Sequence, residues 1–146
     1  FMSLEEFKIK FQVEQYKLFE TNHWVWSLRP NQATLGSGVL SLKRLCRNFS
    51  EVTQDEFADM SNIIKVIEKS LKMSFSFDKI NYLMLMMVDN HIHFHIIPRY
   101  KNKIVFAGIE WYDEGWPKLP ILSGDSTNPK LLEEICKKIK NNIILE

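Results

Sequence analysis

Three of the chain's four histidines alternate within five residues, His91-Ile92-His93-Phe94-His95, followed by Ile96-Ile97-Pro98. The intervening residues are β-branched or aromatic, a composition that favours an extended strand. Strand side chains alternate between faces, so all three imidazoles share one face while Ile92, Phe94 and Ile96 share the other. A strand that buries an apolar face and presents a row of imidazoles on the other looks like an active site.

Three readings of the row compete. Solvated histidines on an exposed face are the plain one. A metal site is the second, since imidazole is the commonest metal nitrogen donor. A rise of ~3.3 Å per residue puts His91 and His95 roughly 13 Å apart along the strand, against Zn–N bonds of ~2 Å. One ion therefore cannot take all three. The third reading is acid–base and nucleophilic chemistry: a neutral middle histidine attacks phosphorus while its neighbours contact phosphate oxygens. Phosphoryl transfer depends mainly on positioning and charge neutralisation, which such a row supplies with no cofactor.

The rest of the chain predicts a single α+β domain over residues 1–146: a mostly antiparallel sheet with a helix packed on one face, plus a C-terminal helix. Residues 3–19 read as a helix, His23–Leu28 and Val39–Leu42 as strands, with Gly36 and Gly38 at the turn before the second. Thr53-Gln54-Asp55-Glu56 fits a capping box, and Phe57, Met60, Ile63, Ile64, Ile67 and Leu71 follow at helical spacing. Ile80–Val88 reads as a strand, and Asp89-Asn90 as a two-residue hairpin turn. That turn sets Val88 opposite His91, Met86 opposite His93 and Met84 opposite His95, with Tyr82 on the same apolar strip. Residues 101–125 read as irregular with one short strand at most. Asn128-Pro129 opens the last helix, with Leu131, Leu132, Ile135, Ile139 and Ile143 on one face.

Composition mainly excludes. A net charge of +1 offers no basic field for nucleic acid. No apolar run suggests a membrane span or a signal peptide, and Cys46 and Cys136 read as isolated, reduced core cysteines of a cytoplasmic protein. Phe1 before Met2 reads as a leftover of expression. Lys43, Arg44 and Arg47 form a basic cluster whose simplest reading is a solvated loop; Trp111 and Trp116 read as packing residues, and His23 as structural.

His91-Ile92-His93-Phe94-His95-Ile96-Ile97 matches in full the His-φ-His-φ-His-φ-φ signature, and the chain from about residue 23 to 100 resembles the histidine triad family of nucleotide hydrolases and transferases. Pro98-Arg99 is similar to the branch that cleaves dinucleoside polyphosphates. The resemblance implies His93 as nucleophile, His91 holding the site and its tautomers, and His95 contacting phosphate near the leaving group. It further implies a nucleotide substrate, no required cofactor or metal, and a homodimer. Arg29, Ser37, Met86, Asp89 and Arg99 are the candidate substrate-binding residues. Three positions depart from the family pattern. Asp89-Asn90 stands where a Gly-rich loop with Gln and Ser or Thr is usual, Gly36-Ser37 where Gly-His is frequent, and Arg29 where a small Asn or Asp commonly meets ribose.

Overall fold

A computed structural model describes residues 2–145; Phe1, read above as an expression leftover, lies outside the described residues. The expected α+β class is what forms. Five strands, β1 (Lys17–Glu20), β2 (Trp24–Leu28), β3 (Gly38–Leu42), β4 (Lys79–Leu83) and β5 (His93–Arg99), make an antiparallel sheet in the order β1-β2-β3-β5-β4. A separate hairpin of β6 (Ile104–Phe106) and β7 (Ile109–Trp111) replaces the single short strand expected within 101–125.

Helix α2 (Gln54–Phe75) starts where its capping box predicts: the Thr53 hydroxyl accepts from Glu56 N, and the Glu56 carboxylate accepts from Thr53 N. It stops at Ser76, which turns left-handed at φ 52°. Ile63, Ile67, Leu71 and Phe75 bury its inner face against Trp24, Trp26, Leu28, Leu40 and Ile96 of the sheet and Ile92 just ahead of β5. Each such aliphatic side chain contributes about 1.5–3 kcal/mol by leaving water. Phe57, assigned to the same stripe, is exposed and instead meets Phe49. Helix α3 (Pro129–Asn141), capped by Asn128, adds Leu132, Ile135 and Ile139 to the same core.

Two glycines are demanded at the entry to β3. Gly36 has φ +88°, and a Cβ there would crowd Leu71 and Phe75; a Cβ on Gly38 would lie 2.8 Å from Trp26 Nε1.

The N-terminal segment departs from expectation. Helix α1 spans only Leu4–Lys10, because Gln12 turns left-handed (φ 49°) and residues from Lys17 onward pair with β2 as strand. Ser3 caps it, accepting from Glu6 N. Phe7, Phe11 and Val13 form a second, smaller core with Val25 and Val39 on the sheet face opposite α2. That is the histidine face.

The β4–β5 connection is a second correction. Asp89-Asn90 does not make a tight turn: residues 84–92 form a long connection, in which Met86 has φ 53°, and Leu83 pairs with His95 and Tyr82 with Ile96. Relative to the expected register this is a slip of one residue, and with side chains alternating it moves every β4 side chain to the other face. Tyr82 thus leaves the histidine strip and donates to Glu68 Oε2 of α2 at 2.6 Å. Met84, Met86 and Val88 are not strand partners of the histidines.

Beyond β5 the chain folds back over the end of the histidine face. Arg99 fastens it, with Nε donating to Asp113 Oδ2 at 2.6 Å and Nη2 to Lys118 O at 2.7 Å.

Candidate active site

β5 places the row and β3 sets its neighbours: Ser41 pairs with His93 and Val39 with His95. His91 is held ahead of the strand, where Ile92 N donates to Cys46 O. The three imidazoles are almost wholly covered, at 0%, 2% and 6% exposure for His91, His93 and His95. The solvated-face reading therefore fails.

Hydrogen bonds assign the tautomers. Cys46 N donates to His91 Nδ1 (3.3 Å), so His91 Nε2 carries the proton and donates to Leu42 O (2.8 Å). Both of its nitrogens are engaged by backbone, which suits a positioning residue. His93 Nδ1 lies 2.6 Å from the His91 carbonyl oxygen, which only accepts, so Nδ1 carries the proton and Nε2 keeps its lone pair. His95 sits edge-on to His93 with ring centroids 5.0 Å apart, and its Nδ1 is buried without a partner.

Electrostatics keeps the row uncharged. Burial depresses all three imidazoles, and the nearby Arg29 adds to the effect on His95, which falls to about 4. Against this, the Asp89 carboxylate favours protonation of His93 and His95. At neutral pH His93 is therefore an unprotonated imidazole with its lone pair on Nε2, the form a nucleophile needs.

A cavity of about 140 Å³ opens beside His93 and His95, lined also by Leu85, Met86, Met87, Val88 and Asp89. Met86 and Asp89, two of the five candidate binding residues, therefore do meet the row, but through the long connection and not through strand pairing. Arg29 acts on His95 through its charge; its guanidinium donates to Asn31 O and Leu122 O, and its Nε is buried without a partner. The Ser37 hydroxyl is used inside its own turn, donating to Thr34 O and accepting from Thr34 N. Arg99 shares the histidine face but is saturated by Asp113, Asn81 and Lys118.

The basic cluster is also paired: Lys43 with Glu20, and Arg44 with Glu56, whose carboxyl the Arg44 guanidinium holds down to about 2. Arg47 Nη2 donates to Met2 O. Among the described residues no group of three or more His, Cys, Asp or Glu is placed to hold a metal ion, and no helix is long and apolar enough to cross a membrane.

The sequence reading missed the residues that cover the row. Phe7 meets His91 and His93 at ring-centroid distances of 4.9 and 5.0 Å; Phe11 meets His93 and His95 at 5.7 and 5.9 Å. Lys10 on the same helix donates to Asp89 Oδ1 at 2.7 Å. The i, i+4 spacing of Phe7 and Phe11 signalled an apolar stripe, yet nothing in it named the surface that stripe would cover.

The family model for the HIT domain matches residues 8–102. Among solved structures, a hypothetical histidine triad nucleotide-binding protein from Sulfolobus tokodaii superposes with a TM-score of 0.70 at 20% identity, covering 93% of this chain and 88% of that one. A histidine triad protein from Sinorhizobium meliloti gives 0.70 at 17% identity, covering 90% and 93%. The NitFhit protein of C. elegans gives 0.62 at 18% identity, covering 86% of this chain and 27% of that one. At these identities the likeness is one of fold. None of the curated proteins compared matches the chain.

Proposed function

Because this chain belongs to the histidine triad family, whose members are generally nucleotide-binding hydrolases and transferases, we propose that it cleaves a phosphoanhydride or phosphoramidate of a nucleotide through His93. The observation that carries this reading is the His93 tautomer: Nδ1–H is tied to the His91 carbonyl, leaving the Nε2 lone pair for phosphorus. Attack forms an N–P bond and breaks the bond from phosphorus to the leaving phosphate, or to an amine that departs with a proton taken from water. Water then cleaves the N–P bond, ending on phosphorus as the new P–O bond and giving up its proton, and restores neutral His93. His95 contacts the phosphate oxygens, and the Arg29 cation offsets charge developing there. Met86 and Asp89 line the approach. Ser37 supports this site from its turn, and Arg99, at the end of β5, by fastening the folded-back tail.

The substrate class nearest to this reading is a diadenosine polyphosphate, and the assembly a cytoplasmic homodimer that needs no cofactor. The test is turnover of dinucleoside polyphosphates and nucleotide phosphoramidates, wild type beside His93→Asn. We expect activity to fall by about a thousandfold or more, and a nucleotidyl adduct in the wild type alone by intact mass. Equal activity in the two proteins would remove His93 as nucleophile.

The near-total cover of the row favours a second reading, a nucleotide-binding module with little turnover. It predicts nucleotide affinity with no adduct.

A further inference from the structure

The histidine row is closed from two directions. Helix α1 lays Phe7 and Phe11 against the rings, and the 84–92 connection lines the remaining cavity with Met86, Met87, Val88 and Asp89. The space left is about 140 Å³, whereas pockets for ligands of nucleotide size begin at about 300 Å³. A ligand of that size reaches His93 only when one cover moves.

Helix α1 is built to be that cover. It has seven residues, too few to be stable alone, and left-handed Gln12 comes one residue after its C-cap, Phe11. Its attachment is mostly the apolar contact of Phe7 and Phe11, backed by Arg47 donating to Met2 O. An ion pair joins it to the other cover: Lys10 Nζ to Asp89 Oδ1 at 2.7 Å, with the lysine side chain 46% exposed. The lysine end is open to water, while the Asp89 side chain is 14% exposed, so the ammonium group is the partner free to exchange. Lys10 also lies close enough for its charge to act on both His93 and His95.

We propose that α1 is a hinged lid on the histidine row, latched to the 84–92 connection by Lys10 and Asp89, and that Lys10 leaves Asp89 for the phosphate of an entering substrate. The latch stands on the geometry alone; the exchange rests on the nucleotide reading. An incoming phosphate competes with Asp89 for the same ammonium group, so the charge that the site must bind is also the charge that opens it. Lys10 then stands in for phosphate contacts that the family's Gly-rich loop usually provides.

Carbethoxylation of unprotonated histidines by diethyl pyrocarbonate, followed by mass spectrometry, reads the lid without turnover, and the partly exposed His23 is the internal reference. In the wild type His93 and His95 lag well behind His23. Lys10→Glu and Asp89→Lys should each speed their labelling about fivefold, and the double charge swap should return it towards the wild-type rate. A wild-type row that labels as fast as His23 overturns the lid. A swap that labels as fast as the single variants overturns the latch.

The exchange is read by calorimetry with inorganic pyrophosphate. Asp89→Asn frees Lys10 and should tighten binding about fivefold, a gain absent from Lys10→Gln/Asp89→Asn. No binding, or the same gain without Lys10, overturns the exchange. Neither measurement depends on catalysis, so an inactive wild type would refute the proposed reaction and leave the lid measured.

Discussion

At the scale of single residues, burial decides protonation, and protonation has a direction in stability. All three row imidazoles are lowered, His95 to about 4 from an ordinary 6.5. As pH falls below 6.5 the unfolded chain takes up protons that the native row refuses, so the unfolded state binds more protons and stability declines. The decline runs from about pH 6.5 down to the lowered native values, about 4 for His95, and then levels off. Urea midpoints across this window should fall with pH, and His95→Gln should flatten part of the slope. A wild-type midpoint constant through the window contradicts the neutral row. Glu56 acts lower on the scale. Its carboxyl, held at about 2 by Arg44, contributes stability that disappears only as pH drops from about 4.5 through 2. At neutral pH, Arg44→Met should cost about 1–2 kcal/mol by leaving the buried Glu56 carboxylate with a smaller set of partners. Chemical denaturation measures it.

Elements show what local chemistry can and cannot specify. Helix α2 begins where Thr53 and Glu56 cap each other, a signal contained in four consecutive residues, and Asn128-Pro129 announces α3 in the same way. Thr53→Ala should therefore cost about 1 kcal/mol in thermal unfolding. β5 was legible from the uninterrupted alternation of His-Ile-His-Phe-His, although the strand itself begins only at His93, with His91 and Ile92 ahead of it. β4 was not. Its run Tyr82-Leu83-Met84-Leu85-Met86-Met87-Val88 is apolar at every position, so no alternation marks which residues face inward, and the register rested on the turn. Asp89 reads locally as part of that turn, but in the fold it reaches Lys10, a residue 79 positions away that no local pattern connects to it. The same applies to α1: its stripe was readable, but its target was the histidine face, created only once β2, β3 and β5 are side by side. What stayed hidden in the sequence was the set of contacts closing over the site.

At the scale of the whole molecule, the segment after β5 is tied back to the sheet by few, strong interactions. Arg99 and Asp113, both almost fully covered, hold one end, and Arg29 and Asn31 take the Leu122 carbonyl at the other. Asp113→Asn should loosen this crossing and open cleavage sites between residues 112 and 125 in limited proteolysis, while α2 stays protected. An unchanged cleavage pattern would show that the apolar contacts suffice. The proposed homodimer is checked by light scattering of the full chain; a monomer at all concentrations refutes it.

The strand order carries a consequence for how the chain is made. β5 lies between β3 and β4, so β4 is synthesised before the neighbour it needs, and β3 shows an open edge until residues 93–99 arrive. β1, β2 and β3 can zip together from adjacent sequence as they leave the ribosome, whereas the sheet's right half waits for the histidine strand. That strand is the keystone of assembly. A nascent chain halted before residue 99 carries two unpaired edges and is exposed to aggregation, and the step that completes the sheet is the same one that brings the triad into register.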